Sequence, residues 1–591
     1  MSLGPGTAGG QVVFTNKARC RDCYRCVRYC PVKAIRMHEG QANVVAERCI
    51  SCGTCVRECP QGAKSHRADL DRARQLFSPG VRVAASIAPS FAAVYRTVLR
   101  QRLPSALRQL GFAYVGETVV GAWHVALQSA AIAAANPQRP HILTACPAVV
   151  RFVERYRPEE APNLMPVVSP MIAHAKHIRA RLAGDQVRVV FIGPCVAKKA
   201  EADRPEFAGL VDCVLTFQEL DDWLAAEKID LAACEESEFD EKPTGAARLY
   251  ALEGGSVRTA GWSADMLDGR VVTASGYEEL CMALDAIAAG DGPRVLEPLF
   301  CPQGCVNGPA MPIARNAFHC RADVLEYDAC RPTSEPGDRR RDPGLATSFE
   351  AAPRDAAPAV SEEEIRQELQ RTGKARPEDQ LNCGACGYAT CRDKAVAVIR
   401  GMAEAEMCLP RMKRLAEQRI DRIIETSPNG IVILDDHLHI LNMNPAFQKF
   451  FMCSEAVFGQ PISYLMDPQP FERLACGQPA KAEMTVEHKK YGLLCYQILY
   501  ALPEENQYVG IFVNITHNHD SQKKLDHVRS ETVRQARELL DHQIRMAEQL
   551  AQFLGESTAR GEDLVEKLML IAGADGGGPR DVPNGFTVQA K

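Results

Sequence analysis

The alternation of apolar and polar positions turns regular at Gly80, and from there it predicts alternating strands and helices. The run Val81-Arg82-Val83-Ala84-Ala85-Ser86-Ile87-Ala88-Pro89 reads as a strand. Helical spacing follows at 91–110 and 119–135, a short strand at 141–144, a helix at 170–183 and a β-branched buried strand at 187–192. Helices and strands continue to about 296. Upstream, 66–78 reads as a connecting helix. The longest apolar run, 119–135, contains His124, Gln128 and Ser129, so it reads as a buried helix and not a membrane span. Residues 331–360 are rich in Pro, Arg, Asp and Ala, the composition of a flexible linker. Ser361-Glu362-Glu363-Glu364 then opens a helix with an acidic first turn. Beyond it come a helix at 412–426, a strand and turn at 429–436, a strand entering a helix at 440–447 and a closing strand near 508–515. Residues 519–572 read as helix, with Leu539, Met546, Leu550 and Phe553 on one stripe. That stripe suits a dimeric coiled coil, a helix docking on a partner, or packing on its own chain. The Gly-rich end, 573–591, reads as a disordered tail.

Composition narrows the picture. The chain has 591 residues, enough for several domains, and a net charge of −5, which gives no bulk attraction to nucleic acid. Residues 1–10 are small and polar, with no apolar core of a signal peptide. Twelve of the 24 cysteines sit in three short runs, which points to metal binding in a reducing cytoplasm and away from disulfides.

The first two runs form an internal repeat: Cys20-x2-Cys23-x2-Cys26-x3-Cys30-Pro31 and Cys49-x2-Cys52-x2-Cys55-x3-Cys59-Pro60. The spacing matches bacterial two-cluster ferredoxins, in which the fourth cysteine of each run ligates the other cluster. That pattern assigns Cys20, Cys23, Cys26 and Cys59 to one cluster and Cys49, Cys52, Cys55 and Cys30 to the second. The third run, Cys383-x2-Cys386-x4-Cys391-x16-Cys408, is another four-thiolate cage. It resembles the small iron–sulfur domain of several anaerobic electron-transfer proteins. Zinc is the alternative occupant of each run. Cys213, Cys234, Cys281, Cys320 and Cys330 stand alone and read as buried or incidental thiols.

Four further cysteines stand in marked contexts: Thr144-Ala145-Cys146-Pro147, Gly193-Pro194-Cys195-x2-Lys198-x2-Glu201, and Glu297-x3-Cys301-x3-Cys305. Cys146 and Cys195 fall just past strand ends, where α/β proteins build sites. In order and content the three segments resemble the signature segments of [FeFe]-hydrogenases, and the resemblance covers roughly residues 17–320. It implies an H-cluster: a 4Fe–4S cube held by Cys146, Cys195, Cys301 and Cys305, with Cys305 bridging to a di-iron subcluster that carries carbonyl and cyanide ligands. It further implies that Lys198 hydrogen-bonds one cyanide and that Ala88, Pro89 and Ser90 line the other. Glu201 completes the second segment. The substrates implied are H2 and protons, and maturation proteins would deliver the di-iron unit.

The departures from the family pattern carry equal weight. Active members hold a proton-relaying thiol immediately before the first cluster cysteine; here the position is Ala145. The carboxylates of the family's proton path fall near Gln128 and Ser129, and a relay hydroxyl falls at Met165. Two methionines of the family's di-iron site fall at Gly193 and Leu299. Slow H2 chemistry is the expectation.

Residues 412–518 resemble a PAS domain, with Asn444-Pro445-Ala446-Phe447 and the preceding strand carrying most of the likeness. No flavin-attachment motif is visible, and the ligand of such a domain is not given by the sequence. His437 and His439 sit in a hairpin turn and read as solvated. Cys453, Cys476 and Cys495 form no ligand pattern.

The fold class expected is therefore multidomain, α/β and α+β. It comprises an N-terminal tail (1–16), a two-cluster ferredoxin domain with connecting helix (17–78), an α/β H-cluster domain (79–330) and a linker (331–360). A small 4Fe–4S domain (361–411), a PAS domain (412–518), a C-terminal helix or coiled coil (519–572) and a tail (573–591) complete it. The domain order resembles the sensory, PAS-containing branch of the [FeFe]-hydrogenases. That branch implies four 4Fe–4S clusters in all, a homodimer through the PAS domain and C-terminal helix, and a separate kinase or phosphatase effector, with a redox partner protein also possible. No membrane or nucleic-acid partner is expected. Two alternatives stay open: a metabolic [FeFe]-hydrogenase regulated by its PAS domain, and a non-hydrogenase iron–sulfur relative without the di-iron unit.

Overall fold

The computed structural model describes residues 10–516 apart from 97, 183–185, 265–268, 313–314, 331–342, 353–358, 477–480 and 504, together with 534 and 538. The backbone divides into two compact units, Met1–Met407 and Cys408–Lys591.

At the start of the first unit, strand Val13–Thr15 pairs antiparallel with Lys64–His66, and Ile35–His38 pairs with Gln41–Val44. The cysteine repeat is also a repeat of backbone conformation. Asp22 and Tyr24 flank Cys23 with positive φ, and Ser51 and Gly53 flank Cys52 in the same way. Those left-handed residues fold each run into a tight turn. The fourth cysteines are equivalent too: Ala34 N–H donates to Cys30 Sγ and Ala63 N–H to Cys59 Sγ, both at 3.2 Å.

The connecting helix predicted at 66–78 shortens to Leu70–Arg74. Its start is lost because Lys64–His66 is a strand and Asp69 is held elsewhere. Asp69 N–H donates to Glu219 Oε1 at 2.7 Å, and Asp69 Oδ2 accepts from Lys199 Nζ at 3.0 Å. Lys199 is fully buried and also pairs with Glu219.

The next domain holds two parallel sheets. One has the order Tyr114–Glu117, Val81–Ile87, Gln186–Gly193, Cys213–Thr216. The other has the order Val271–Ser275, Val295–Leu299, His141–Ile142. Helices cover both faces, so the central strands are near-continuous apolar runs. Helix Val119–Ala135 forms as predicted, and Pro170–Arg181 packs across it at Gly121. A Cβ on Gly121 would lie 2.4 Å from His174 N and 2.5 Å from Pro170 O. The helix predicted at 91–110 is broken into Phe91–Val94 and Val98–Gln109. Arg100 explains the break: its buried Nε donates to Ala92 O at 2.8 Å and Tyr95 O at 2.9 Å, satisfying carbonyls that a continuous helix would bond itself.

Within the 331–360 stretch, residues 343–352 lie against this domain. Leu345 is buried, Val168 N–H donates to Leu345 O at 3.0 Å and Ala352 N–H donates to Glu154 O at 2.9 Å. Ser361 then caps helix Glu362–Arg371 in a reciprocal box with Glu364. This helix packs on Cys391–Ile399 through Ile365, Leu369, Cys391 and Ala395. The loop between them rests on the N-terminal domain. Gly387, with φ 92°, faces Val27 and Arg28, and Arg28 Nη1 donates to Ala385 O at 2.9 Å. Met37 N–H donates to Met402 O at 3.0 Å.

The second unit opens with helix Leu409–Thr426, followed by a five-stranded antiparallel sheet. The order is Ile440–Met443, Gly430–Leu434, Gln507–Asn514, Leu493–Leu502, Lys481–His488. Phe447, Phe451, Phe471 and Phe512 fill its core. Buried Asn444 ties helix to sheet. Its Nδ2 donates to Ile424 O and Asn429 O at 2.9 and 2.8 Å, and its Oδ1 accepts from Ile431 N–H and Phe447 N–H. Of the helix predicted at 519–572, only the helical Arg534 and Glu538 are described; the rest, with the tail at 573–591 and the N-terminal 1–9, lies outside the described residues. Among the described residues no helix is long and apolar enough to cross a membrane.

Candidate functional site

The central cysteines all follow the C-terminal ends of parallel strands, and they come from both sheets. Strand Gln186–Gly193 leads to Cys195, His141–Ile142 to Cys146, and Val295–Leu299 to Cys301 and Cys305. Cys146 caps helix Pro147–Tyr156. The turn between Cys301 and Cys305 needs left-handed backbone at Gln303 and Gly304, and a Cβ on Gly304 would sit 2.8 Å from Ala251 O.

The four thiols share one electrostatic neighbourhood. Burial pushes the Cys195 thiol up to about 11, and Cys146 beside it adds to the rise while Lys198 opposes it. Burial likewise drives Cys301 and Cys305 well above the ordinary thiol range, with Cys195 and Cys146 adding to both. Bringing four half-buried thiols together is unfavourable for thiolates alone, and bound cationic iron would reverse that balance.

Beside them lies a cavity of about 80 Å³. Its wall includes Ala88, Pro89, Ser90, Ala145, Lys198 and Cys305. Ser90 Oγ is buried there without a hydrogen-bond partner. Lys198 Nζ donates to Glu201 Oε2 at 2.7 Å, Ser169 Oγ at 2.9 Å and Ala145 O at 3.2 Å. A Cβ on Gly193 would lie 2.8 Å from the Phe191 ring and 2.9 Å from Ala88 Cβ. Phe191 and Leu299 border the cavity, while Gly193, the other position at which the family pattern has methionine, does not. Gln128 and Ser129 lie on helix Val119–Ala135 and neither borders the cavity; Met165 is buried, its carbonyl accepting from Thr144 Oγ1. Ser169, Phe191 and Tyr250 were not legible as site residues, although Ser169-Pro170 carries a helix-start signal.

A cavity beside four neighbouring thiols, with an unpartnered hydroxyl and a buried ammonium in its wall, fits an iron–sulfur cube joined to a second group that accepts hydrogen bonds. Among the described residues, no three His, Cys, Asp or Glu side chains stand close enough to share one metal ion.

The repeat cysteines fall into two electrostatic neighbourhoods. The Cys26 thiol feels Cys23, Cys20 and Cys59, and Cys55 feels Cys52, Cys30 and Cys49. The Cys52 turn abuts the central site: a Cβ on Gly53 would lie 2.6 Å from Pro309 and 3.3 Å from Val196, and Arg57 Nη1 donates to Asn307 O at 3.0 Å. In the third run, Cys391 Sγ accepts from Lys374 Nζ at 2.9 Å and Cys391 N–H donates to Asn382 Oδ1 at 2.8 Å. Cys383 is exposed and Cys386 half-buried, while Cys408 opens the second unit as the cap of its first helix. Lys33 and Tyr388 each lie within electrostatic range of both Cys30 and Cys386.

Of the isolated thiols, Cys213, Cys234 and Cys320 are buried, Cys281 is half-buried and Cys330 exposed. In the second unit, Asp435 Oδ1 accepts from the backbone of His437 and His439, fixing the turn with both rings partly solvated. Cys495 is buried, Cys453 half-buried and Cys476 exposed.

Comparison with known proteins agrees with this layout. Residues 81–309 match the family described as "Iron only hydrogenase large subunit, C-terminal domain", 12–60 a "4Fe-4S dicluster domain", 379–410 an Fe-S cluster family and 418–482 a "PAS domain". The chain is 28% identical to the periplasmic [Fe] hydrogenase large subunit of Nitratidesulfovibrio vulgaris, over 51% of this chain and 86% of that one. It is 26% identical to the NADP-reducing hydrogenase subunit HndD of Solidesulfovibrio fructosivorans, over 50% of this chain and only 56% of that subunit's length. A shorter stretch, 15% of this chain and 17% of the relative, is 36% identical to a cytosolic Fe-S cluster assembly factor of Vanderwaltozyma polyspora. Among solved structures, an [FeFe]-hydrogenase variant from Chlamydomonas reinhardtii aligns with 48% of this chain and 99% of its own, at 19% identity and a TM-score of 0.40. By its sequence segments and the families they match, the chain carries an iron-only hydrogenase large-subunit domain, joined to a 4Fe–4S dicluster domain and a PAS domain.

Proposed function

We propose that the chain is a sensory [FeFe]-hydrogenase, which binds H2 at an H-cluster, turns it over slowly and signals through its PAS domain to a separate effector. The observation that carries this reading is Ala145. It borders the cavity next to Cys146 and offers a methyl group where a proton-carrying thiol would serve turnover. A general acid or base typically contributes about 10²–10⁴-fold in rate, so its loss favours a site that reports H2 over one that consumes it quickly.

Cys146, Cys195, Cys301 and Cys305 would hold the cube, with Cys305 at the cavity wall as the bridging ligand. The bound di-iron unit would supply the Lewis-acidic site at which H2 is polarised. Lys198 presents an ammonium to the cavity, and Glu201 fixes it there. Its longest hydrogen bond goes to Ala145 O, so releasing that carbonyl frees one donor for an anionic ligand. Ser90 Oγ supplies a second donor. Proline, alanine and phenylalanine elsewhere in the wall keep water out.

Electrons would leave by the Cys52 turn, which stands against Val196 and Pro309. Cys30 and Cys386 share Lys33 and Tyr388 as neighbours, which supports passage of electrons from the cluster of Cys30 to a cluster that includes Cys386. The test is anaerobic purification, insertion of the di-iron cofactor and infrared spectroscopy. Carbonyl and cyanide bands that shift under H2 are expected; their absence would end the reading. Ala145→Cys is expected to raise turnover with an artificial electron donor by about 10²-fold or more. An unchanged rate would remove the proton argument and favour a metabolic enzyme regulated by its PAS domain.

The similarity to a cluster assembly factor supports a second reading, in which the cube is present without the di-iron unit. Lys198, Glu201 and the cavity count against it, because a bare cube makes no use of them. Iron content together with the carbonyl region of the infrared spectrum separates the two.

A further inference from the structure

Thr118 borders the cavity. Its Oγ1 lies 2.8 Å from Ser86 Oγ, and Ser86 Oγ lies 2.8 Å from His174 Nδ1. Ser86 and His174 are fully buried and Thr118 nearly so. His174 Nε2, at the far side of the ring, is buried with no hydrogen-bond partner. One helical turn on, the His177 ring lies at 6.2 Å between centroids, with His124 at 5.7 Å from His177. His177 Nε2 is 2.9 Å from Glu241 Oε2, and Glu241 also accepts from Tyr114 and pairs with Arg181, whose side chain is half exposed. The line runs from the cavity through hydroxyls and imidazoles that carry an exchangeable proton and ends toward the surface at Glu241, whose carboxyl is held down at about 2 where burial is outweighed by hydrogen bonds from His177 and Tyr114.

A structural histidine at position 174 would be an expensive choice. It sits on an apolar face that packs under Gly121, where phenylalanine or leucine would fill the space without stranding a ring nitrogen. The hydroxyls of Ser86 and Thr118 point the same way, because alanine and valine would pack equally well on this buried strand and helix start.

We propose that Thr118, Ser86, His174, His177 and Glu241 form a proton conduit between the cavity and solvent, serving the site that lacks a relay thiol at Ala145. It rests on the reading of that cavity as a hydrogen-handling site. Each link accepts one proton and releases its own. A proton from the cavity enters at Thr118 Oγ1, that hydroxyl's proton passes to Ser86, and Ser86's proton passes to His174 Nδ1. His174 then releases the proton of Nε2 toward His177, whose ring lies 6.2 Å away between centroids; His177 hands its own from Nε2 to the Glu241 carboxylate, and Glu241 returns that proton to solvent. The net change is one proton moved, with no electron carried and no bond to carbon altered. Burial keeps the His174 imidazole neutral, its pKa pushed down to about 3, the form with one donor and one acceptor nitrogen. A relay that must pass through so unfavourable a cation is slow, in keeping with a reporting site.

Two measurements on the full chain test the conduit. In the protein carrying the di-iron unit, the carbonyl bands are followed after a pH jump without H2. Thr118→Val, Ser86→Ala and His174→Phe are each expected to slow the band shift by roughly tenfold or more, leaving its end points unchanged. Parental rates in all three overturn the proposal. In the chain without the di-iron unit, histidine-selective ¹⁵N spectra follow solvent exchange of the His174 ring proton. Exchange slowed in His177→Phe and in Ser86→Ala supports the conduit; exchange indifferent to both overturns it. Because the second measurement needs no di-iron unit, failure to install one ends the functional reading and still leaves the conduit decided.

Discussion

Two adjacent lysines show how much a single position can carry. Lys198 faces the cavity, and Lys199 faces away, buried between Asp69 and Glu219. Lys198→Met should leave the cube's cysteines intact while removing the ammonium from the cavity. The expected result is iron content lower by the di-iron unit and weakened carbonyl and cyanide bands. Lys199→Met strands two buried carboxylates, and breaking a buried pair from one side typically costs about 3–5 kcal/mol. A fall in unfolding free energy of that size, measured in urea with cluster absorption followed in parallel, is expected. The three cysteine runs stand out in the sequence because short, fixed spacings are what a four-thiolate cage would impose on the chain. Lys198 was legible from its segment; Lys199 was not, because its partners lie 130 and 20 residues away and leave no local trace.

Helices and strands were legible where one periodicity runs unbroken, as at 119–135. They were misjudged where a side chain from elsewhere takes the backbone's hydrogen bonds, as Arg100 does at the 94–98 break and Glu219 at Asp69. Close packing gives the elements their sensitivity. Gly121→Ala would push helix Pro170–Arg181 off its neighbour, because the new Cβ meets backbone and not a yielding side chain. A loss of about 1–3 kcal/mol, read as a lowered Tm, is expected. Gly387→Ala should act locally. It combines an unfavourable left-handed residue, about 1–2 kcal/mol, with a contact at 2.8 Å to Val27 Cγ1. Loosened docking of that loop is expected as roughly tenfold faster hydrogen exchange at the Met37 amide, which Met402 O accepts.

Across the whole molecule, the arrangement predicts a pH dependence whose sign follows from burial. The unfolded His174 titrates near 6.5 and the folded one at about 3. Between those values the unfolded chain holds a proton that the folded chain lacks, so stability falls as pH drops below about 6.5 and the loss levels off near 3. The full effect is on the order of 5 kcal/mol. Ser86 meets the ring as a hydroxyl, and Tyr114, His177, His124 and Glu241 act on it as titratable groups, so the comparison must be parent against His174→Phe. A flatter stability profile below pH 6.5 in the variant is expected from urea unfolding. The same scale holds what the sequence could not give: its cysteine runs specify their own cages, yet nothing in them says that the 384–388 loop rests on Val27 and Arg28, or that the Cys52 turn rests on Pro309.

The stretch at 343–352, held against the hydrogenase domain by Leu345 and by the Ala352–Glu154 bond, has a mechanical consequence. Eight residues, 353–360, separate it from the capping serine of the next helix. Eight residues of any conformation span at most about 30 Å. Should the 361–407 segment let go of the N-terminal domain, it would stay within that radius, at an effective concentration in the millimolar range. Release would then be a reversible opening whose extent does not depend on protein concentration, and doubling the length of the connection would shift it toward open by only about 0.6 kcal/mol without altering a single contact.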